Sequence, residues 1–194
     1  MSGDIIIPAP HEIPTERLLL RRWRRSDWDA FAEQGADPHV MRYFVSTRTR
    51  EQCDEQADHF SQWLEEGMGP WVIEFPDEAE FIGIVGFWRA ADFLPMAPGI
   101  ELGWRLNAPY WGRGLAIEAA DAAIDDLFRR TDIEDFFAVT ATVNLPSRRA
   151  LQKLGMRYCP DEDFDHDKVP DGSVLKPHVV YRMGRSDRYP EVSL

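Results

Sequence analysis

The sequence predicts an α+β fold, a mixed and mostly antiparallel sheet with helices on both faces. Three observations carry that reading. An extended apolar run, Gly99 to Leu106, leads through Trp111-Gly112-Arg113-Gly114-Leu115-Ala116 into a helical pattern with Leu115, Ala119, Ala120, Ala123, Ile124, Leu127 and Phe128 on one face. A second strand-like run, Phe136 to Val143, leads into another helix, Asn144 to Gly155. Ahead of both, Trp71 to Phe75 and Glu80 to Ala90 read as an antiparallel pair joined by a Pro-Asp-Glu-Ala turn.

In chain order, residues 1–14 read as an irregular lead with no hydrophobic period. Arg17 to Trp23 is the first strand, and Ser26 or Asp27 suits the cap of a short helix to about Gln34. Asp37 to Val45 is a second short helix or turn, and Arg50 to Glu66 a longer helix stopped by Gly67. After the antiparallel pair, Gly99 to Leu106 is the fourth strand and Gly114 to Arg130 the central helix. Pro146 suits the first turn of the next helix, Ala150, Leu151 and Leu154 give it an apolar face, and Gly155 fits its stop. Val179 to Met183 is the last strand. Residues 15–184 therefore read as one domain and 185–194 as a tail. An apolar content of 44% leaves enough to build its core.

Composition excludes several classes. With 22 basic and 34 acidic residues the net charge is -12, which argues against nucleic acid as a partner. Cys53 and Cys159 form no disulfide framework and no metal spacing. Ile5 to Ile7 is too short for a signal core, and no run approaches the ~20 apolar residues of a membrane span, so a cytoplasmic enzyme, monomer or homodimer, is expected. Asp161 to Asp167 begins like a calcium loop, but His166 stands where the turn glycine belongs and Gly172 where the bidentate glutamate belongs. The segment then reads as a solvated loop or an acidic lip, His59, His166 and His178 show no ligand spacing, and no metal is expected.

The glycine turn is a place to hold phosphate. The first N–H groups of a helix lack intrahelical partners, the dipole adds positive charge, and glycine lets the backbone approach an anion. No Gly-Lys-Ser/Thr ending follows, so it is not a P-loop, and Gly112-x-Gly114-x-x-Ile117 lacks the third small residue of the dinucleotide fingerprint. Taken alone, the turn reads equally well as a tight connection without a ligand. Arg113 in the turn, with Arg148, Arg149 and Lys153 on the later helix, gathers cations there despite the acidic total, or else forms a solvated face.

Together these segments resemble the GCN5-related N-acetyltransferase (GNAT) superfamily. Its acetyl-CoA signature, Arg/Gln-x-x-Gly-x-Gly/Ala, falls here on Trp111, Gly114 and Ala116, with a departure at the first position. Tyr-Trp-Gly-Lys/Arg-Gly is usual in the branch that resembles RimJ/RimL ribosomal-protein N-acetyltransferases. Three more motifs of that branch match in order: Thr15 to Arg21, Glu101 to Trp104, and Asn144 to Gly155. The likeness runs from about Thr15 to Met183. It implies the GNAT fold, splayed between the fourth and fifth strands, with acetyl-CoA as cosubstrate. The pantetheine arm would lie in the gap, bonded to backbone near Leu106, with the amides from Gly112 through Arg113, Gly114 and Leu115 to Ala116 on the pyrophosphate. Trp111, Asn144, Ser147 and Arg148 complete the implied coenzyme site.

Acetyl transfer to an amine requires removal of an ammonium proton and supply of one to the leaving thiolate. Glu101 is the candidate base. On the fourth strand it points with Gly103 and Arg105 to one face, opposite Ile100, Leu102, Trp104 and Leu106. The alternative is an ion pair with Arg89 or Arg105, or a water-exposed position. Many superfamily members carry a tyrosine acid four residues after the Ser147 position; here that residue is Leu151. By resemblance Ser147 serves the sulfur and Asn144 positions the pantetheine or its water; the plain alternative for Ser147 is helix capping. By the same resemblance, Tyr43, Phe44, Trp71, Phe87 and Trp88 fall in regions that border the acceptor cleft in the family, with core packing the simpler reading. The acceptor stays open between an α-amine of a protein or peptide and a small amine such as an amino acid, polyamine or amino-sugar. Glu101, Asn144 and Ser147 together favour an enzyme over a noncatalytic acyl-CoA-binding module.

Overall fold

The computed structural model describes residues 11–190. The lead with its Ile5 to Ile7 run, up to residue 10, and the last four residues of the tail lie outside them. The chain runs β1 (Ile13–Pro14), β2 (Leu19–Arg21), α1 (Asp27–Ala36), α2 (Arg50–Glu65), β3 (Pro70–Phe75), β4 (Ala79–Arg89), β5 (Ile100–Leu106), α3 (Leu115–Arg130), β6 (Asp135–Ala141), α4 (Leu145–Lys153), β7 (Arg157–Tyr158), β8 (Phe164–Asp165), β9 (Pro177–Gly184) and α5 (Arg185–Arg188).

The strands form one sheet in the order β1-β2-β3-β4-β5-β6-β9-β7, with β8 beside β9. Every pairing is antiparallel except β5 with β6, which α3 joins as a crossover. The sequence's fourth and fifth strands are thus β5 and β6. β4 and β5 stay in register from Gly83↔Leu106 to Arg89↔Ile100, whereas β5 and β6 share the single pair Glu101↔Phe137 and then part. That parting is the splay the resemblance implied.

Helices cover both faces. On one, the apolar side of α3 packs Leu115, Ala119, Ala120, Ala123, Ile124, Leu127 and Phe128 against Trp71, Ile73, Phe87 and Leu102, and Leu151 and Leu154 of the α4 segment close the same core. On the other, Trp28 and Phe31 of α1 and Phe60 of α2 meet Val72, Phe81 and Ile84. Burying each large side chain contributes roughly 1.5–3 kcal/mol, so the sheet is clamped from both sides.

Several boundaries differ from the sequence reading, each for a local reason. Ser26 is the N-cap of α1 but makes no side-chain cap bond, because the Asp27 carboxylate instead accepts the Arg24 N–H and the buried Arg21 guanidinium. Of the two readings for Asp37 to Val45, the turn is the one formed. The strand read from Phe136 to Val143 stops at Ala141, where Thr142 N–H turns to the Pro177 carbonyl. Ile13–Pro14, read as part of an irregular lead, pairs with Leu19 and Leu20. The read tail is docked as far as it is described. Arg185 donates to the Thr131 and Ile133 carbonyls, and Arg188 pairs with Asp121 and Asp125 of α3. The Asp161 to Asp167 segment is also folded, since Phe164–Asp165 pairs with β9.

Candidate active site

The Trp111 to Ala116 turn sits between the end of β5 and the start of α3. Gly112 and Gly114 both adopt left-handed backbone, φ +72° and +80°, and a Cβ at Gly112 would enter open space. Gly114 caps α3 without any side chain, and its carbonyl accepts the Ile117 and Glu118 N–H groups. The N–H groups just before them lie ahead of the first helical bonds, and the turn lines the cleft. The Trp111 indole donates to the Leu106 carbonyl at 2.8 Å and so folds the turn back onto β5. Its ring also faces His39 at 4.9 Å and the Arg42 guanidinium at 4.4 Å.

The indole bond decides which part of Leu106 remains for a ligand. Asn107 N–H donates to the Ile82 carbonyl, so by antiparallel alternation the odd residues of β5 bond β4 and the even ones turn to the gap. The Leu106 carbonyl in that gap is taken by Trp111, which leaves the Trp104 backbone and the Leu106 N–H for strand-like bonding.

Arg113 does not point its charge into the turn. Its guanidinium pairs with Glu78 at 2.9 Å and stacks over Phe75 at 4.9 Å. The cation nearest the turn is Arg17, which sequence reading passed over as part of a strand motif. It donates to the Arg113 carbonyl, pairs with Glu118 at 2.6 Å, and reaches within 3.7 Å of a Cβ at Gly114. Arg148 is likewise turned away: it donates to the Thr142 carbonyl and lies over Tyr158. One turn of helix spacing places Arg149 and Lys153 on the cleft side of α4 instead.

The cleft has a volume of about 990 Å3 and brings together Glu101, the glycine turn, Asn144 and Ser147. Glu101 stands at the last residue pair before β5 and β6 part. Neither Arg89 nor Arg105 pairs with it; its hydrogen bond is from the Trp88 indole, 3.0 Å to Oε2. Burial pushes its carboxyl up to about 7, and the indole bond offsets this only in part. Gly103, next on this face, has no room for a Cβ because the Trp88 ring fills the space. Trp88, Tyr43 and Phe44 line the cleft, while Trp71 and Phe87 are core residues.

Asn144, not Ser147, caps α4: its Oδ1 accepts the Ser147 N–H at 3.3 Å. Its Nδ2 donates to Thr140 Oγ1 at 2.9 Å and to Ser147 Oγ at 3.0 Å. Ser147 Oγ is therefore an acceptor from Asn144, and its own proton stays free to be donated into the cleft. The His166 and His178 rings also line the cleft and meet at 4.8 Å, and burial lowers the pKa of both. Their sequence spacing gave no signal because the β8–β9 pairing brings them together. Among the described residues no group of three or more His, Cys, Asp or Glu side chains could hold a metal ion, and no helix is long and apolar enough to cross a membrane.

Comparison with known proteins supports the same reading. The model of the acetyltransferase (GNAT) domain matches residues 17–157. The uncharacterized N-acetyltransferase YnaD of Bacillus subtilis is 30% identical over 173 residues, 87% of this chain and 94% of YnaD. A GNAT-family acetyltransferase from Bacillus anthracis superposes with a TM-score of 0.72 at 25% identity, over 89% of this chain and 98% of its own. RimJ of Mycobacterium smegmatis, solved in complex with CoA-disulfide, shares the fold with a TM-score of 0.74 at 18% identity, over 94% and 90% of the two chains. With the splayed sheet and the glycine turn at the head of α3, these matches establish that the chain belongs to the GNAT family and is an acetyl-CoA-dependent acetyltransferase.

Proposed function

We propose that the chain acetylates an α-amino group, with Glu101 as the base that accepts the amine proton. The observation that carries this reading is the placement of Glu101 at the mouth of the β5–β6 gap with no cationic partner and a carboxyl near 7. An α-amine has a pKa near ~8 and a lysine amine near ~10.4. Proton transfer to Glu101 is uphill by about one unit from the first and by more than three from the second. The RimJ/RimL-like motif set, Thr15 to Arg21, Glu101 to Trp104 and Asn144 to Gly155, supports the same acceptor class.

The residues present fit acetyl-CoA. The open space over Gly112 and the exposed start of α3 suit the pyrophosphate, with the amides of Gly112 to Ala116 as donors. Each charge-assisted bond there contributes roughly 1.5–3 kcal/mol. Trp104 backbone and Leu106 N–H line the gap for the pantetheine arm, and Asn144 and Ser147 flank its thiol end. When bound, the coenzyme supplies an activated acetyl carbonyl. The chain's own part is to orient the amine, take its proton at Glu101 and hold a donatable proton at Ser147 Oγ, fixed by Asn144. Acetyl-CoA-dependent thiol release, measured on a peptide with a free α-amine and on its α-blocked lysine counterpart, tests the reading. Faster turnover of the lysine side chain would overturn it.

A further inference from the structure

The cleft holds a second polar centre that amine deprotonation does not use. Arg105 lies on the same face of β5 as Glu101, roughly 13 Å further along by strand rise. It is only 8% exposed. Its Nε donates to Gln34 Oε1 at 2.8 Å, one terminal nitrogen meets the Met41 sulfur at 3.4 Å, and the other has no hydrogen-bond partner. Its ring contacts, Phe31 at 4.7 Å and Phe44 at 5.8 Å, supply no counter-charge. Arg48 and Gln56 line the same cleft, and Arg48 Nε and Gln56 Oε1 are also buried without partners.

Buried guanidinium groups normally have a carboxylate. Here a second arginine sits beside the first. Burial, and after it the charge of Arg48, push the Arg105 guanidinium down to about 10. The acid that registers on it is the Cys53 thiol, which burial itself keeps protonated. Two cations, each with an unpartnered N–H and neither paired with a carboxylate, and a glutamine amide thus line one cavity. A planar carboxylate matches the guanidinium fork, and the Gln56 amide can turn its NH2 toward the same oxygens.

We propose that Arg105, Arg48 and Gln56 bind a carboxylate carried by the amine acceptor. This deepens the α-amine reading and rests on it for the position of the amine. The two centres share one strand face, so the acceptor carries its carboxylate within about one or two residues' length of the reacting nitrogen. An amino acid's own carboxylate and an acidic side chain next to a peptide α-amine both meet that requirement.

The test is a matched acceptor panel with acetyl-CoA: amino acids against their α-carboxamides, and dipeptide amides ending in glutamate against those ending in glutamine. The acid member of one series should show a kcat/KM about 10- to 100-fold higher, mostly through KM, and the series that shows it names the source of the carboxylate. Arg105→Gln and Arg48→Gln should each collapse that acid-over-amide ratio. A ratio near one in both series, or a ratio that survives both variants, overturns the proposal. If Arg105→Gln does not fold, the wild-type ratio and the half-exposed Arg48→Gln still decide. The ratio can be read on any amine that is acetylated, so a lysine-type acceptor would sink the α-amine reading without touching this one. Thermal shift gives a readout without turnover: the preferred acid should raise Tm in the wild type, and its amide should not. An equal shift by acid and amide counts against the site.

Discussion

At the β2 end of the sheet Arg21 is fully buried and every nitrogen has an acceptor, while at β5 Arg105 is almost as buried and has no carboxylate at all. Arg21 makes two bonds to Asp27 at 2.8 Å, one to Glu74, and two more to the Glu80 and Arg22 carbonyls. Burial works against its charge, yet the bonds to Asp27 and Glu74 outweigh it and hold its pKa above the ordinary value. Arg105, with an amide and a thioether for company, is pushed the other way. The carboxylates repeat the contrast. Glu74 and Asp27 are paired, and Glu101, two registers beyond Arg105 on the same face, has an indole N–H alone. Charges on the β2–β3 side are spent on holding the fold, and those along β5 are left in a state that favours an incoming ligand.

The sharpest way to break this comparison is Glu101→Gln, which keeps shape and removes the proposed base. It should lower kcat/KM by about 10²–10⁴-fold near pH 7. In the wild type, activity should rise as pH climbs through about 7, where Glu101 loses its proton. The deficit of the variant should shrink at higher pH, as more amine arrives neutral. The same substitution has an opposite effect on stability. Its folded-state pKa lies above the ordinary 4.5, so the folded protein binds more protons than the unfolded chain between 4.5 and about 7. Stability is lost as pH rises through that window, by at most about 3 kcal/mol. Urea midpoints at pH 5 and pH 8 should therefore converge in Glu101→Gln. An active variant with an unchanged pH profile would move Glu101 to the structural side of the contrast.

Asp27→Ala probes the other side. It leaves Arg21 buried with only Glu74 as counter-ion and should cost about 3–5 kcal/mol of stability by urea unfolding, with coenzyme affinity of the folded protein retained. Arg105→Met should cost about 1–2 kcal/mol, less than Asp27→Ala, because loss of an unpaired buried charge offsets the Gln34 Oε1 left without its donor. Equal losses at the two positions would mean that Arg105 is structural too.

Gly114→Asp tests the turn by a smaller effect. The residue sits at φ +80° at the head of α3, where a side chain is strained by roughly 1 kcal/mol and a carboxylate would oppose the bound anion. Coenzyme affinity measured by calorimetry should fall about 10- to 100-fold. Unchanged affinity in a folded variant would remove the turn from the donor site.

Sequence pattern exposed the fold well wherever the apolar period was long. Every apolar residue read on the inner face of α3 is buried, with Asp126 beside them, and β5 and β6 part where the family resemblance implied it. Short elements held by distant partners were invisible. Ile13–Pro14 and Phe164–Asp165 are strands only because β2 and β9 offer them an edge. Within the site, residue type was readable and side-chain direction was not. Arg113 and Arg148 are cations near the right backbone, but Glu78, and the Thr142 carbonyl with Tyr158, draw them away. Arg17, Arg105 and the His166–His178 pair needed tertiary pairing to appear at all, since no local spacing links them to the glycine turn.

Ser147→Ala is the mildest test, and its outcome depends on who caps α4. Asn144 supplies the cap, so the variant keeps the Ser147 N–H bond to Oδ1 and loses only the Asn144 Nδ2 bond to Oγ. Its stability cost should stay near the net value of one half-buried hydrogen bond, about 0.5–1.5 kcal/mol, below that of removing a true cap and its network. If Ser147 Oγ donates a proton into the cleft, kcat should fall about tenfold, with coenzyme affinity little changed, because the amides of the glycine turn are untouched. Asn144→Ala separates the two roles. It removes the cap, the Thr140 tether and the partner of Ser147 together, so both Tm and kcat should fall. A Ser147→Ala enzyme with full turnover would leave solvent water as the proton source and confine the Asn144–Ser147 pair to holding the start of α4.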